Sequence, residues 1–325
     1  MTQLSIEHIS SPLAREFSIS RGAKNSAETV RVLIERDGQR GRGESVPYSR
    51  YGETIESVIE AIETRRVDLE AGLSREDLQN AMPAGAARCA LDCALWDLDA
   101  KLSDRPVWKL AGLPEPTPLE TAVTIVLADV DEMVAAAQAA ASTLLKLKLG
   151  GADDLARVKA VHEARPDGRL ILDGNEGLDP GAFPEIARQA TRLGVVLIEQ
   201  PFPAGKDKYL PGRPPEVAIC ADESAHTRDQ IQTLVRSYDV VNVKLDKTGG
   251  LTGAIAMVKE ARAAGMGVMV GCMVAGSLSM APAVLLGGLA DAVDLDGPLW
   301  LADDIEDGLT FSGGAVHPPL RELWG

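Results

Sequence analysis

Residues 144–150 read LLKLKLG, two lysines set among leucines. In a strand, residues two apart share a face, so Lys146 and Lys148 point one way and Leu145, Leu147 and Leu149 the other. A buried ammonium without a partner costs several kcal/mol, so a strand that turns both lysines inward requires anions facing them. The competing reading is a half-exposed strand with its lysines in water. The downstream chain decides between the two.

From about residue 120 onward, short apolar runs alternate with helical stretches. Strand ends are expected at Leu127, Leu149, Asn175, Pro201, Ser224, Asp246, Met273 and Asp296, and helices over 133–142, 153–164, 183–193, 228–237 and 252–264. Eight strands joined by helical crossovers are the pattern of a (β/α)₈ barrel, and a doubly wound sheet stays open as the alternative. Upstream, residues 30–36 and 39–44 predict a hairpin turning at Asp37-Gly38. Apolar residues at helical spacing over 55–69 and 86–102 complete an α+β segment. The domains expected are 1–113, a barrel over 114–300, and an irregular, Asp- and Gly-rich segment over 301–325 that returns to the first.

The chain has 325 residues, a hydrophobic fraction of 45% and a net charge of −15. That size supplies a normal core, and that charge argues against a nucleic-acid surface or an anionic membrane. The first thirty residues lack the apolar core of a signal peptide, and no run approaches a membrane span, so a cytoplasmic location is expected. Cys89, Cys93, Cys220 and Cys272 show no ligand-like spacing and read as reduced, buried thiols.

Charged residues recur at the expected strand ends. Lys148, Asp173, Glu199, Asp222 and Lys244 are, by subtraction of their positions, 25, 26, 23 and 22 residues apart. In a barrel, side chains at the carboxyl ends of strands converge on one mouth, where such folds do their chemistry. Each acid alone reads as a helix cap or ion-pair partner. Together, Asp173, Glu199 and Asp222 would repel one another unless a hard divalent cation sat among them, and magnesium fits that oxygen set best. Asn175, Glu223 and Ser224 are supporting candidates, although capping of the next helix explains each equally well. Lys148 and Lys244, on the second and sixth of eight strands, would face each other across the ion. That arrangement suits a racemase or epimerase, in which one base removes an α-proton and the other returns a proton to the opposite face. Lys146 would assist the enolate and act as a cationic neighbour that lowers the pKa of Lys148. Asp294 and Asp296 share a face in the last strand and could hold a substrate ammonium, against the competing reading of an Asp-Gly-Pro turn.

These residues resemble the enolase superfamily, specifically the muconate-lactonizing-enzyme subgroup and its dipeptide epimerases. The resemblance runs from GRGESVPYSRYGE through LKLKLG, LDGNEG, IEQP, ADES and NVKLDKTGG to VDLDGP. It implies a modified (β/α)₇β barrel with an α+β capping domain. It also implies acid/base roles for Lys148 and Lys244, and one magnesium ion per subunit on Asp173, Glu199 and Asp222. A lysine base with magnesium stabilising an ene-diolate is the general scheme of such sites. The DxD of the last strand implies that Asp294 and Asp296 bind the amino terminus of a dipeptide. Arg21 and Lys24 are the candidates for reading the substrate side chain, with the loop over 48–51 closing the mouth. The likeness is nearest to L-Ala-D/L-Glu epimerases of murein peptide recycling, and it allows a homo-oligomer. His226 is assigned no role. The alternatives are an N-acylamino-acid racemase or another lyase or cycloisomerase of the subgroup, and a non-catalytic binding protein.

Overall fold

The computed structural model describes residues 2–151, 153–206, 210 and 217–325. The chain opens with a three-stranded antiparallel meander of β1 (Gln3–Ile19), β2 (Gly22–Arg36) and β3 (Gln39–Ser45). The predicted hairpin is present, with Arg36 opposite Gln39 and positive φ at both Asp37 (52°) and Gly38 (76°). A two-residue turn of that kind matches the twist of the strands it joins. β2 begins earlier than the expected residue 30, and β1 pairs along it. Both extensions escape a periodicity reading because most of β1 lacks a buried face.

Helices α1 (Ile55–Glu63), α2 (Arg66–Glu70), α3 (Arg75–Ala81), α4 (Ala86–Ser103) and α5 (Val107–Leu110) come next. The single helix expected over 55–69 is two helices, and the Thr64 hydroxyl donates to the carbonyl of Ala61 at the break. α4 packs directly on β3. A Cβ at Gly43 would lie 2.1 Å from the Ala90 carbonyl oxygen, so only glycine permits that approach. Val30, Val32, Ile34, Ile62, Leu69, Leu91 and Leu98 lie in the buried core of this first unit.

After β4 (Leu119–Glu120) comes an eight-stranded sheet in which each neighbouring pair is parallel. Its elements are β5 (Val123–Ile125), α6 (Val130–Ala139), β6 (Leu144–Lys148), α7 (Asp154–Ala164), β7 (Arg169–Asp173), α8 (Phe183–Ala190), β8 (Val195–Glu199), β9 (Ala218–Ala221), α9 (Ile231–Leu234), β10 (Val240–Val243), α10 (Leu245–Thr248), α11 (Leu251–Ala263), β11 (Gly267–Gly271), α12 (Ser277–Val284) and β12 (Ala292–Asp294). The edge strands approach each other, Ala122 donating to the Val293 carbonyl at 2.8 Å and Thr124 N to Asp296 at 2.6 Å. The result is a nearly closed barrel rather than an open doubly wound sheet. The expected strand ends overshoot by one to three residues, since the strands end at Ile125, Lys148, Asp173, Glu199, Ala221, Val243, Gly271 and Asp294. α6 starts at Val130, ahead of the expected 133, because the Asp129 side chain caps it by accepting from Glu132 N.

The last residues pair as β13 (Phe311–Ser312) and β14 (Ala315–Val316), the latter alongside β4. Trp324 then donates its indole N–H to the Cys93 carbonyl and Gly325 its amide to Asp97, both on α4. No disulfide links the cysteines, and no described helix is long and apolar enough to cross a membrane.

Candidate active site

The two-residue period of the strands arranges the barrel interior in layers. Ala122, Leu144, Ile171, Leu197, Cys220, Val240 and Met269 make an apolar floor. Two residues further along the same strands stand Thr124, Lys146, Asp173, Glu199, Asp222, Asn242 and Gly271, a polar layer directly above it. Another two-residue step brings Lys148, Asn175 and Lys244 to the mouth, with Asp294 and Asp296 beside them from β12 and its end. Both lysines of 144–150 do point inward: Lys146 is 2% exposed and Lys148 7%. Three strands separate β6 from β10 in either direction around the ring, so Lys148 and Lys244 stand on opposite sides of it.

Polar groups at this depth find one another. Lys146 Nζ lies 3.0 Å from Asp173 Oδ2, 2.7 Å from Glu199 Oε2 and 2.8 Å from Asp294 Oδ2. Lys148 Nζ is 2.6 Å from Asp173 Oδ2, and Lys244 Nζ is 2.7 Å from Asp222 Oδ2. The other Asp222 oxygen is held at 2.5 Å by Lys247, which also donates to the carbonyls of Asp222 and Asn242. Asn242 donates to Glu199 Oε1 at 2.6 Å. Sequence reasoning missed both residues. Asn242 was findable, since it shares the face of Lys244 by the two-residue rule. Lys247 sits on the one-turn α10, where no strand period applies.

Charge balance decides which groups ionise. Burial opposes the charge on Asp173, yet Lys146 and Lys148 hold its carboxyl well below the usual range. Asp222 is likewise lowered against burial by Lys244 and Lys247. Glu199 moves the other way, pushed up to about 7 by burial and then by the charge of Asp173. Glu223 is raised by burial and then by Asp222. On the basic side, Asp173, Asp294 and Glu199 raise Lys146 despite its burial, and Asp222 does the same for Lys244.

Among the described residues, no three His, Cys, Asp or Glu side chains already stand as a ligand cage, because ammonium groups lie between the acids. The donor set nonetheless fits a hard divalent ion. Asp173, Glu199 and Asp222 are 0%, 0% and 2% exposed and come from three adjacent strands, and burial together with the charge of Asp173 keeps the Glu199 carboxyl high. Asn175 Oδ1 and Glu223 Oε2 are buried there without hydrogen-bond partners.

The capping unit roofs the mouth over a cavity of about 410 Å³, lined among others by Phe17, Lys24, Tyr51, Lys148, Lys244 and Val274. Arg21, in the β1–β2 turn, is committed to the protein: it reaches Glu223 at 2.8 Å, the Asn175 carbonyl at 2.7 Å and the Tyr48 hydroxyl at 3.2 Å. Lys24 lies on β2 rather than in the loop expected of it. Its ammonium faces the Phe17 ring at 5.9 Å, and among the described residues it makes no ion pair. Burial and then the charge of Lys148 lower its pKa. Glu176, which the sequence did not single out, accepts two bonds from Arg50 and one from the Ala204 amide, and lies 3.3 Å from Arg21. It ties both capping loops to the barrel. Asp296 accepts from Thr124 N and the Trp300 indole, and burial followed by Asp294 pushes it up to about 6. Asp294 Oδ1 is buried without a partner. His226 packs edge-on to Tyr51 at 4.4 Å and reaches the Glu223 carbonyl.

Comparison with known proteins agrees with this architecture. The family described as mandelate racemase / muconate lactonizing enzyme, N-terminal domain, matches residues 1–112, and the enolase C-terminal domain-like family matches 128–322. The L-Ala-D/L-Glu epimerase of Escherichia coli (strain K12) is 43% identical over 94% of this chain and 96% of its own length. The N-acetyl-D-glutamate racemase of a Pseudoalteromonas species is 42% identical over 88% and 91%. A crystal structure of an enolase family member from Agrobacterium tumefaciens, with homology to dipeptide epimerases and with bound sodium and L-Ala-L-Glu, superposes with a TM-score of 0.97. It is 46% identical and covers 100% of both chains. The chain therefore belongs to the enolase superfamily, in its mandelate racemase / muconate lactonizing enzyme group.

Proposed function

We propose that this protein is a magnesium-dependent dipeptide epimerase that inverts the α-carbon of the carboxy-terminal residue, with L-Ala-D/L-Glu as its substrate pair. The observation that carries the reading is the placement of Lys148 and Lys244 on opposite sides of one cavity with three buried acids between their strands. Bound Mg²⁺ on Asp173, Glu199 and Asp222 would supply positive charge to the substrate carboxylate and so acidify the neighbouring α-proton. One lysine takes that proton and the other delivers a proton to the opposite face, with their roles exchanged for the other epimer. Each must be neutral to act as a base and charged to act as an acid. Lys146, anchored by three carboxylates, offsets the negative charge of the enolate. Asp294 and Asp296 receive the substrate ammonium, for which the unpartnered Asp294 Oδ1 is the free acceptor. Lys24 is the cation left over for the glutamate side chain, whereas Arg21 fastens the roof.

This reading takes residues 1–113 as a cap, 114–300 as the catalytic barrel and 301–325 as a strap returning to the cap, in a cytoplasmic enzyme acting on cell-wall peptides and able to form a homo-oligomer. A second reading, racemisation of an N-acylated amino acid, is favoured by the likeness to N-acetyl-D-glutamate racemase. The two are separated by incubating L-Ala-L-Glu, L-Ala-D-Glu and N-acetylglutamate in heavy water with Mg²⁺ and following the α-proton by NMR. Exchange at the glutamate α-position of both dipeptides, abolished by chelation and impaired in Asp294→Asn, is expected. Exchange confined to N-acetylglutamate would overturn the dipeptide assignment.

A further inference from the structure

Lys244 is the last residue before α10, and on the barrel side that helix is tied back through Lys247, which donates to the Asn242 carbonyl of the preceding strand and to Asp222. Lys244 accepts the amides of Lys247 and Thr248 through its carbonyl, so base and helix move together. On the side away from the barrel, the hydrogen bonds that reach this segment among the described residues come from the first unit. Val46, just past β3, donates its amide to the buried Asp246 carboxylate at 2.7 Å. Arg88 donates to the carbonyl oxygens of Thr248 (2.8 Å) and Gly249 (3.3 Å) on the barrel side, and of Met82 (3.1 Å) and Gln79 (3.3 Å) on its own. Asp92 accepts the Thr252 amide at 2.9 Å, and Trp96 donates to the Thr252 hydroxyl at 2.9 Å.

Arg88, Asp92 and Trp96 are four residues apart, a single stripe along α4. Against that stripe lie Gly249 and Gly250, with φ of 73° and 100°. A Cβ at the first would be 2.4 Å from Arg88 Nε and at the second 2.5 Å from Asp92. The segment is seated so closely that it has no room to shift toward α4.

Arg88 is 9% exposed and carries its charge with no carboxylate partner among the described ion pairs, its donors going to carbonyls instead. A buried guanidinium used only as a carbonyl clamp is an expensive way to join two units, and it calls for a reason beyond adhesion. We infer that Arg88 is a positioning residue for Lys244: through Thr248 and Gly249 it sets where that ammonium meets the substrate, and it has no corresponding hold on Lys148. Each ammonium rests on one acid, Lys148 on Asp173 and Lys244 on Asp222, but Lys148 is itself paired within the sheet, whereas Lys244 lies past the last ladder pair of β10 and leads into α10. A defect in the clamp should therefore slow proton transfer on one face of the α-carbon only.

This inference rests on the two-base reading above, and the experiment distinguishes their failures. α-Proton exchange in heavy water is measured separately from L-Ala-L-Glu and L-Ala-D-Glu for the parent protein, Lys244→Gln and Arg88→Met, with a melting temperature for each. If the parent exchanges neither epimer, the two-base reading fails. Given exchange of both, Lys244→Gln identifies the epimer that Lys244 serves. Arg88→Met is expected to slow exchange from that same epimer by about tenfold or more, as a base displaced by a fraction of an ångström would, while the other keeps nearly its parental rate. Partial rescue by Arg88→Lys is expected too. Equal slowing of both epimers, or no change in either, overturns the inference. Should Arg88→Met fold poorly, Asp246→Asn weakens the Val46 contact from the barrel side and is expected to show the same one-sided loss, and an even loss there overturns it equally.

Discussion

Among its individual residues, the site is a lattice of opposite charges built so that few of its members are free. Lys146 touches three carboxylates and Asp222 touches two ammonium groups, so removing any one of them strands a buried charge. Lys24 is the exception among the lysines of the cavity, since it makes no ion pair among the described residues. A substrate carboxylate is the partner that would oppose the lowering of its pKa by burial and by Lys148. Lys24→Met is therefore expected to raise KM for L-Ala-L-Glu by about tenfold or more, with less than about twofold change for a dipeptide ending in a neutral residue. Steady-state kinetics on both substrates checks this, and equal effects on the two would return the side-chain contact to another residue. The inward-facing lysines and the three acids were legible in the sequence because each ends an apolar run at the barrel's repeat. The engagement of Arg21 by the protein, against the absence of an ion pair to Lys24 among the described residues, was not. It depends on Glu223, Glu176 and Tyr48, which come from three separate segments that no local pattern links.

Among the helices and strands, those with a two-residue period were the most readable and the helices next. Boundaries shifted where a side chain intervened: Asp129 started α6 early, and the Thr64 hydroxyl divided α1 from α2. β1 was invisible because a strand that buries little on either face leaves no alternation to find. Contact between elements carries its own constraint. β3 and α4 approach so closely that a methyl group at residue 43 has nowhere to go. Gly43→Ala is expected to destabilise the protein by about 1–3 kcal/mol through overpacking, measurable as a lower urea midpoint with an unchanged slope. An unaltered midpoint would mean that α4 can move away, and with it the clamp on α10.

Across the molecule as a whole, the two units are joined through buried ionisable groups, and that makes the joint sensitive to pH. Asp92, on the face of α4 that meets 248–252, is pushed up to about 6 mainly by burial, against the hydrogen bonds from Thr252 and the charges of Arg75 and Arg88. Because its folded pKa exceeds the ordinary value of 3.8, the folded state holds the proton longer. The stability it contributes is present below about pH 4 and lost as pH rises through about 6. Asp92→Asn removes that dependence, so the stability of the variant relative to the parent is expected to rise between about pH 4 and 6 and then level off. Urea denaturation at about pH 4, 5, 6 and 7 tests the sign, and a difference that falls over this window would contradict it.

The order of residues along the chain was enough to specify eight strands alternating with helices and charged residues recurring at the strand ends, because strand alternation and the strand-to-strand interval are local properties that survive without knowledge of contacts. It also specified the charged set of lysines and acids, since buried charges demand partners and these recur at that interval. That the sheet closes into a barrel rather than staying open was decided by the contact of its two edge strands. Which charge meets which could not be read in advance. The pairing of Lys146 with Asp294 joins strands 148 residues apart, and the grip of α4 on α10 joins positions 160 apart. Such contacts arise only when the ring closes and the cap seats, because they are selected by the depth and direction of side chains in space rather than by spacing in the chain.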